Sequence, residues 1–452
     1  MITSAAFRGK RYVVLGLARS GVATVRALLA SGAEVVAWDS KEEAQAEMLR
    51  SSRAQSRDRG RTPGVSTLLD TNGRLELADP LTIDLGAFDG IIVSPGVPIN
   101  RHPIADAAHS VNVPLIGDIE LFAMARASLP PHKVVGITGT NGKSTTTALI
   151  HHILKTAGVP TMMGGNIGLP ILAQEPLAPN QNGVGVYVLE LSSYQIDLTY
   201  SLDCDVAVLL NITPDHLDRY DGLTDYAAAK ERLFTLQHVD KVAVIATDDD
   251  PTRMVASRIN HRLMRVSGNS VADQARWPAL QGPHNAQNVA AAIAVAQSLG
   301  IAADTIERGL ATYPGLPHRM ERIAEVDGVL YVNDSKATNA TSTAPALAAY
   351  PAIHWILGGQ SKSDDLDACA PHFGNVRAAY TIGEAGAMFA NLLSLHMPAH
   401  ECLDLETALV KARASASPGE VVLLSPACAS FDQYRDFEAR GDAFRSMVEA
   451  WA

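Results

Sequence analysis

The sequence predicts an α/β protein with three successive domains, each built around a mostly parallel sheet. The chain has 452 residues, enough for about two to four domains with ample cores. Short β-branched runs alternate with helix-compatible stretches along its length, which is typical of doubly wound sheets. Proline-containing breaks at residues 129–132 and 313–318 interrupt this alternation. They predict a Rossmann-like N-terminal domain (1–128), a central domain like those of P-loop ATPases (129–315) and a Rossmann-like C-terminal domain (316–452).

The composition argues against several classes of protein. Lys and Arg number 37 and Asp and Glu 48, which gives a formal charge of −11 at pH 7. Binding of nucleic acid or of an anionic membrane surface by long-range attraction is therefore not expected. The four cysteines have no C-x-x-C spacing, which fits a reducing compartment. Since no apolar run could span a bilayer and no secretory signal pattern is found, we expect a cytoplasmic protein without membrane insertion. We also expect it to act as a monomer.

The first domain begins with a strand–helix–strand pattern of the Rossmann type. Strands are predicted at residues 12–17, 34–39, 90–96 and 113–116, with a helix at 22–30 and a surface excursion at 51–61. Gly16-Leu-Ala-Arg-Ser-Gly21 resembles G-x-G-x-x-G, but Ala18 replaces the glycine that lets a pyrophosphate approach. Asp39 ends the next strand. Three interpretations stay open: binding of NAD, binding of another nucleotide-like group, and a purely structural turn.

The central domain opens on the most informative segment of the chain. A β-branched run ends in Gly139-Thr140-Asn141-Gly142-Lys143-Ser144-Thr145, and a helix-compatible stretch follows to residue 155. Backbone N–H groups of such a loop surround phosphate oxygens, while the lysine reaches the terminal phosphates and the serine hydroxyl ligates Mg²⁺. The common P-loop has its first glycine where this chain has Ile137. The segment is therefore a variant triphosphate loop or an ordinary glycine-rich turn.

Two further positions of the central domain suggest metal chemistry. Strands are predicted at residues 186–190, 206–210 and 241–245, and the carboxyl ends of parallel strands meet at one edge of a sheet. Glu190 ends the first of these strands and is a magnesium ligand or a solvated strand-end acid. His216 follows the second strand and is a metal ligand, a proton carrier or a structural histidine.

Lys230 and a pair of asparagines each have two interpretations. Lys230 lies in a helix-like run and is a solvated lysine or, if buried and unprotonated, the site of a carbamate formed with CO₂. Such a carbamate would be an oxygen ligand for a hard metal ion. Asn285 and Asn288 open the last helix predicted for this domain, at residues 285–299. They cap that helix or read the edge of an adenine ring with their amides.

The third domain repeats the α/β pattern. Strands are predicted at residues 330–332, 353–357, 379–382 and 421–424, with helical stretches between them. No internal repeat, low-complexity tract or heptad pattern is visible in the sequence.

Six motifs in the central and C-terminal domains occur together in one order. They are Thr138-Gly-Thr-Asn-Gly-Lys-Ser144, Gly164-Gly-Asn-Ile-Gly168, Leu189-Glu-Leu-Ser-Ser193, Asp215-His-Leu-Asp-Arg-Tyr220, His284-Asn285 with Asn288, and Pro317-His-Arg319. This ordered set resembles the Mur ligase family and is far more specific than any single motif. The resemblance implies an ATP-dependent enzyme that adds an amino acid to the peptidoglycan precursor, with two Mg²⁺ ions.

Two C-terminal segments resemble those members of the family that add D-glutamate. They are Asn333-Asp-Ser-Lys-Ala-Thr-Asn339 and Ser425-Pro-Ala-Cys-Ala-Ser-Phe-Asp-Gln-Tyr434. The resemblance therefore implies UDP-N-acetylmuramoyl-L-alanine and D-glutamate as substrates, joined by an amide bond through an acyl phosphate.

The resemblance also implies a role for individual residues. For ATP it implies residues 139–145, with Asn285, Asn288, Arg319, Asp334 and Lys336. For catalysis it implies Lys143, His216, Lys230 and Arg319, and for Mg²⁺ it implies Ser144, Glu190, His216 and a carbamylated Lys230. For the UDP-linked substrate it implies Ser94, Gly96, Asn166 and His216, with a looser match at Arg19, Ser20, Ser40 and Lys41. For D-glutamate it implies Thr338, Lys362, Ser430 and Phe437, whose cation and hydroxyl groups suit a dicarboxylate.

Two other functions are compatible with parts of this pattern. A ligase like folylpolyglutamate synthase shares the ATP loop and the metal logic, but residues 333–336 and 425–428 argue against it. A nucleotide-binding regulatory protein with a dead site could lose Lys143, Glu190, His216 or Lys230, yet all four are present.

Overall fold

The fold is described from a computed structural model over residues 1–57, 68–70, 73–215, 219–361 and 363–451. These residues form two compact units. The first consists of Met1–Ala272 and Gln287–Leu310, and the second of Asp273–Ala286 and Ala311–Ala452. Two sheets lie in the first unit and one in the second.

The first sheet has a Rossmann-like strand order. Its elements are β1 (Arg11–Leu15), α1 (Arg19–Ala30), β2 (Glu34–Trp38), α2 (Glu42–Arg57), β3 (Leu68–Asp70), β4 (Gly73–Leu77), β5 (Gly90–Val93), α3 (Ile104–Ser110), β6 (Leu115–Ile116) and α4 (Asp118–Ala125). The strand order is β3-β4-β2-β1-β5-β6, and every described pairing is parallel except β3 with β4. The chain reverses direction across the sheet at β1, which creates a crevice at the carboxyl ends of the neighbouring strands.

The second sheet is parallel throughout its described pairings. Its elements are β7 (His132–Thr138), α5 (Lys143–Thr156), β8 (Thr161–Gly165), β9 (Gly185–Glu190), α6 (Ser193–Asp197), β10 (Val206–Leu209), α7 (Leu223–Thr235), β11 (Val242–Ala246), α8 (Asp250–Arg258) and β12 (Arg262–Val266), followed by α9 (Pro283–Ser298) and α10 (Ala303–Ala311). The strand order is β12-β11-β10-β7-β9-β8. Because β10 and β11 are buried on both faces, they are continuous apolar runs rather than alternating ones.

One core joins the two sheets of the first unit. Tyr12 from β1 and Tyr187 from β9 belong to the same buried apolar cluster. Helix α4 adds polar contacts to the segment between α6 and β10. The carboxylate of Glu120 accepts hydrogen bonds from the backbone N–H groups of Tyr200 (2.6 Å) and Ser201 (2.9 Å). The Glu120 side chain is buried. These charge-assisted hydrogen bonds therefore stabilise the packing of α4, in addition to the apolar contacts of the shared core.

The third sheet forms the centre of the second unit. Its elements are β13 (Glu321–Val326), β14 (Val329–Asn333), α11 (Ala340–Ala348), β15 (Ile353–Gly358), β16 (Val376–Ile382), α12 (Gly386–Leu393), β17 (Ala399–Leu403), α13 (Leu405–Ser415), β18 (Val421–Leu424) and α14 (Phe437–Glu449). The strand order is β13-β14-β18-β15-β16-β17, with β13 antiparallel to β14. Separate cores cover the two faces, one around Trp355 and one around Tyr380.

The predicted α/β class with three sheets is confirmed. Each sheet lies inside one of the three predicted segments, although the domain boundaries themselves stay a prediction. The surface excursion at 51–61 is wrong for residues 51–57, which continue helix α2, and residues 58–61 lie outside the described ranges. The central segment also has a further helix, α10, after the one predicted to be its last. No helix in the described ranges combines the length and apolar character that a membrane crossing needs.

Candidate functional site

The glycine-rich loop follows β7, the strand of the second sheet on whose two sides the chain adds its later strands. Strand β7 ends at Thr138, and its neighbours are β9 on one side and β10 on the other. Helix α5 begins at Lys143. The loop between them therefore opens into the crevice where ligands of parallel sheets usually bind. This is the position that the sequence predicted for a phosphate-binding loop.

Two glycines give the loop a backbone that other residues rarely adopt. Gly139 has φ of 155° and Gly142 has φ of 81°. A Cβ atom on Gly142 would lie 2.2 Å from Oδ1 of Asn288. Both the positive φ and the close approach of Asn288 therefore require glycine at position 142.

Lys143 and Lys230 converge on the carbonyl group of Gly139. The Nζ atoms of Lys143 and Lys230 donate to this oxygen at 2.8 and 3.0 Å, and Lys143 also donates to the carbonyl of Thr140 at 2.7 Å. Lys230 is 1% exposed, and its Nζ atom lies 4.3 Å from the ring centre of Tyr226. Burial, followed by repulsion from Lys143, holds the pKa of Lys230 well below its ordinary value. Lys230 is therefore not the solvated lysine that its helix alone would suggest.

Glu190 provides an oxygen that suits a cation. The sheet register pairs Glu190 with Ile137, two residues before the loop. Its Oε1 accepts a hydrogen bond from Nδ2 of Asn166 at 3.1 Å, while its buried Oε2 has no hydrogen-bond partner among the described residues. A bound Mg²⁺ would satisfy such an oxygen. Ser144, the predicted hydroxyl ligand, is also buried, at the start of α5.

The other predicted metal ligand, His216, lies outside the described residues. Across the described ranges, His, Cys, Asp and Glu side chains form no group of three or more that could hold a metal ion by themselves. A magnesium site here would thus depend on Ser144, on a modified Lys230 or on His216 in addition to Glu190.

The two asparagines of α9 do not cap that helix. The helix begins at Pro283, so both residues lie inside it. The Nδ2 of Asn285 donates to the carbonyl of Gln281 at 2.9 Å. Asn288 is 2% exposed, and its Oδ1 accepts a hydrogen bond from the hydroxyl of Thr146 at 3.2 Å. Asn288 thereby contacts the helix that follows the phosphate loop.

The carboxyl edge of the first sheet brings together six of the eight residues predicted for the UDP-linked substrate. These residues follow the adjacent strands β1, β2 and β5, and they are Arg19, Ser20, Ser40, Lys41, Ser94 and Gly96. The Ser94 hydroxyl donates to the carbonyl of Gly16 at 2.8 Å. Both oxygens of Asp39 accept backbone N–H groups, from Leu17 at 2.7 Å and Lys41 at 2.9 Å. The Asp39 carboxylate thus links the loop after β1 to the loop after β2.

In the second unit, a strained loop lies beside Asp334. His318 and Met320 have φ of 60° and 48°, which is costly for residues other than glycine. The N–H of Met320 donates to Oδ1 of Asp334 at 3.1 Å, and the hydroxyl of Ser425 donates to Oδ2 at 2.8 Å. Burial raises the pKa of Asp334 to about 7, although Ser425 and the nearby Arg319 partly oppose that rise. The loop therefore brings Arg319 and Asp334, both predicted for the nucleotide, close together.

The residues predicted for D-glutamate follow adjacent strands of the third sheet. Thr338 follows β14, whereas Ser430 and Phe437 follow β18, and these two strands are neighbours. Ser430 is buried, and Thr338 and Phe437 are half-buried. The ring centre of Phe437 lies 5.6 Å from Nζ of Lys336. The fourth predicted residue, Lys362, lies outside the described residues, in the segment after the neighbouring strand β15.

Comparison with known proteins agrees with this geometry. Residues 137–279 match the Mur ligase middle domain, and residues 318–428 match the Mur ligase, glutamate ligase domain. The chain is 60% identical to the UDP-N-acetylmuramoylalanine–D-glutamate ligase of Sphingopyxis alaskensis, over 100% of this chain and 99% of that protein. The chain belongs to the Mur ligase family.

Solved structures show that the whole fold is that of Mur ligases. The UDP-N-acetylmuramate-alanine ligase of Thermotoga maritima matches with a TM-score of 0.55 and 17% identity, over 98% of this chain and 99% of that one. E. coli FolC, solved in complex with ADP, matches with a TM-score of 0.53 and 19% identity, over 79% of this chain and 98% of that one. At these identities the two structures establish the fold alone.

Sequence reasoning missed one buried cation of this Mur ligase. Arg440 is 1% exposed, and its guanidinium group donates to the carbonyls of Ser335 (2.9 Å) and Cys428 (3.1 Å) and to the hydroxyl of Ser335 (3.0 Å). Burial lowers its pKa to about 10. Arg440 ties the loops after β14 and β18 to helix α14. In the sequence it resembles any solvated helix arginine, so no signal distinguished it.

Proposed function

We propose that this protein is an ATP-dependent ligase that joins UDP-N-acetylmuramoyl-L-alanine to D-glutamate in peptidoglycan precursor synthesis. The observation that carries the proposal is the 60% identity, over both full lengths, to a relative named as a UDP-N-acetylmuramoylalanine–D-glutamate ligase. The arrangement around the phosphate loop supports it, since a lysine, a buried hydroxyl and an unsatisfied carboxylate oxygen lie at one sheet edge. A ligase like folylpolyglutamate synthase is not favoured, because the FolC match establishes the fold alone.

The phosphate loop would hold the triphosphate of ATP. Backbone N–H groups of residues 139–145 would surround the phosphates, and Lys143 would exchange its two carbonyl acceptors for phosphate oxygens. Asn285 and Asn288 are proposed to contact the adenine. In the second unit, Arg319, Asp334 and Lys336 keep the nucleotide-binding roles implied by the resemblance.

Two Mg²⁺ ions are proposed, and their ligands are only partly described. When bound, such ions would neutralise phosphate charge and so make the terminal phosphate open to attack by an anion. Ser144 and Glu190 would hold one ion, and the unsatisfied Oε2 of Glu190 fits that role. His216 and a carbamylated Lys230 would hold the other. The lowered pKa of Lys230 favours the neutral amine that carbamate formation requires.

The two remaining substrates would bind at the other sheet edges. Arg19, Ser20, Ser40, Lys41, Ser94, Gly96 and Asn166 are proposed for the UDP-linked substrate, in addition to His216. Thr338, Lys362, Ser430 and Phe437 are proposed for D-glutamate. Both sets contain cationic side chains and hydroxyl groups, which suit anionic ligands.

The chemistry must activate a carboxylate, which is a poor electrophile. The alanine carboxylate would attack the γ-phosphorus of ATP, giving an acyl phosphate and ADP. The amine of D-glutamate would then attack the acyl carbon, forming the amide bond, releasing phosphate and losing a proton. Lys143 and Arg319 would hold the mutually repelling anions in place, so positioning and charge neutralisation supply most of the catalysis.

The test is the dependence of phosphate release on each substrate. Purified protein with ATP and Mg²⁺ is expected to release phosphate only when UDP-N-acetylmuramoyl-L-alanine and D-glutamate are both present. Release that is independent of D-glutamate would reject the proposed function. A cytoplasmic location and a monomeric state, both expected from the sequence, belong to the same proposal.

A further inference from the structure

One asparagine that was not among the predicted site residues forms hydrogen bonds with the backbone of the phosphate loop. Asn211 follows β10, the strand next to β7. Its Oδ1 accepts the backbone N–H of Asn141 at 2.8 Å, and its Nδ2 donates to the carbonyl of Asn141 at 3.2 Å. The carboxamide therefore pairs with both backbone groups of one loop residue. Since that residue lies between Gly139 and Gly142, this pairing restrains the part of the loop whose backbone is otherwise most free.

The backbone around Asn211 runs alongside the same loop. The carbonyl of Asn211 accepts the N–H of Thr140 at 2.8 Å. The Thr140 hydroxyl accepts the N–H of Thr213 at 3.0 Å and donates to its carbonyl at 3.2 Å. The hydrogen-bond ladder between β7 and β10 thus continues past the carboxyl ends of both strands, into the segment after β10.

A directional chain of hydrogen bonds orients the Asn211 carboxamide. A carboxylate oxygen accepts hydrogen bonds, and Nε2 of Gln287 donates to Oδ2 of Asp248 at 2.7 Å. The Oε1 of Gln287 consequently faces Nδ2 of Asn211, at 2.7 Å. This leaves Oδ1 of Asn211 directed at the Asn141 N–H. Asp248 is held in turn by the hydroxyl of Ser267 at 2.6 Å.

We propose that Asn211 is a positioning residue for the nucleotide phosphates, kept in register by Gln287 and Asp248. The inference rests on the proposed function, because it needs ATP or ADP at this loop. Asn211 fixes the loop backbone before the phosphates arrive, which lowers the conformational cost of binding. Gln287 lies on α9 one residue before Asn288, so the same chain links the loop to the helix proposed to contact adenine.

The test compares a phosphate-bearing probe with a base-only probe. MgADP and adenosine are titrated against the full-length protein and against Asn211→Ala and Gln287→Ala. We expect Asn211→Ala to weaken MgADP about tenfold through the lost hydrogen bonds, with adenosine affinity unchanged. Gln287→Ala should weaken MgADP less, and the double variant no more than Asn211→Ala, because Gln287 acts through Asn211. Asn391→Ala, an exposed asparagine on α12, is the matched control.

Three outcomes would overturn the inference. They are unchanged MgADP affinity in Asn211→Ala, equal losses for MgADP and adenosine, or additive losses in the double variant. If Asn211→Ala does not fold, Gln287→Ala decides by the same comparison, since alanine is well tolerated in a helix. Failure of the proposed function is separate. The assay of phosphate release with and without D-glutamate detects it, and an unaltered protein that binds no MgADP would show that this loop is not a nucleotide site.

Discussion

At the scale of single residues, burial determines which side chains can carry unusual chemistry. Lys230 has the helix context of a surface lysine, yet it is almost fully buried beside Lys143 and the carbonyl of Gly139. The sequence offered both a solvated and a modified lysine as interpretations. The packing of α7 against the loop rules out the solvated lysine, which a helix-like run could not do because it does not specify which of its faces is buried. The modified lysine stays a prediction.

The first prediction concerns Lys230→Ala. We expect ligase activity to be lost and partly restored by a short carboxylate such as acetate, which would supply the missing oxygen ligand. The measurement is product formation with and without acetate, together with a carbamate signal in the ¹³C NMR spectrum of protein equilibrated with labelled bicarbonate. Lys155→Ala, an exposed lysine of α5, serves as the control and should keep full activity. Near-normal activity of Lys230→Ala would exclude the carbamate.

Asp118 supplies a prediction about stability and pH. It is 4% exposed at the start of α4, its Oδ1 has no hydrogen-bond partner among the described residues, and burial raises its pKa from 3.8 to about 6. The folded protein therefore binds this proton more tightly than the unfolded chain does. The free energy of unfolding therefore falls as pH rises from about 4 to about 6, because ionising Asp118 costs more in the folded protein than in the unfolded chain. Above about pH 6 this cost no longer increases.

Asp118→Asn removes this penalty because an amide does not ionise. The variant should exceed the unaltered protein in free energy of unfolding by up to about 3 kcal/mol at about pH 7.5, with a smaller difference at about pH 5. Urea denaturation at the two pH values measures it. Asp106→Asn, an exposed acid in the first turn of α3, should show no such gain. A loss of stability in Asp118→Asn that is equal at both pH values would contradict this explanation.

At the scale of elements, the phosphate loop has the backbone that its two glycines permit. Gly142→Ala would force a positive φ on alanine and place its Cβ against Asn288. We expect it to cost about 1–3 kcal/mol of stability and to weaken MgADP binding. Melting temperature and MgADP titration test both effects. Gly374→Ala is the control, since a Cβ there meets no atom within 4 Å. Unchanged melting and MgADP affinity in Gly142→Ala would show that the loop adopts another conformation.

Central strands were more predictable than edge strands. The β-branched runs of β10, β11 and β18 are buried on both faces, and they were placed within one or two residues from sequence alone. The edge strands β3, β12 and β17 were not predicted. Exposed residues interrupt the apolar pattern in β12 and β17, because an edge strand has fewer neighbours to cover it.

At the scale of the whole molecule, the position of residues relative to successive strands predicted more of the candidate site than any single motif did. The loop follows β7 and Glu190 ends the neighbouring strand β9, and a parallel sheet brings the carboxyl ends of its strands to one edge. Contacts between distant segments could not be anticipated. Asn211 with Asn141, and Arg440 with Ser335, depend on which loops become neighbours, and nothing in the local sequence specifies that.

The measurement that tests the central claim most directly is product analysis with a panel of amino acids. The protein is incubated with MgATP, UDP-N-acetylmuramoyl-L-alanine and either D-glutamate, L-glutamate, L-lysine or D-alanine, and the products are identified by mass. We expect ADP and a new amide product with D-glutamate, and no appreciable product with the other amino acids. A product formed equally well with another amino acid, or no amide product with any of them, would contradict the assignment.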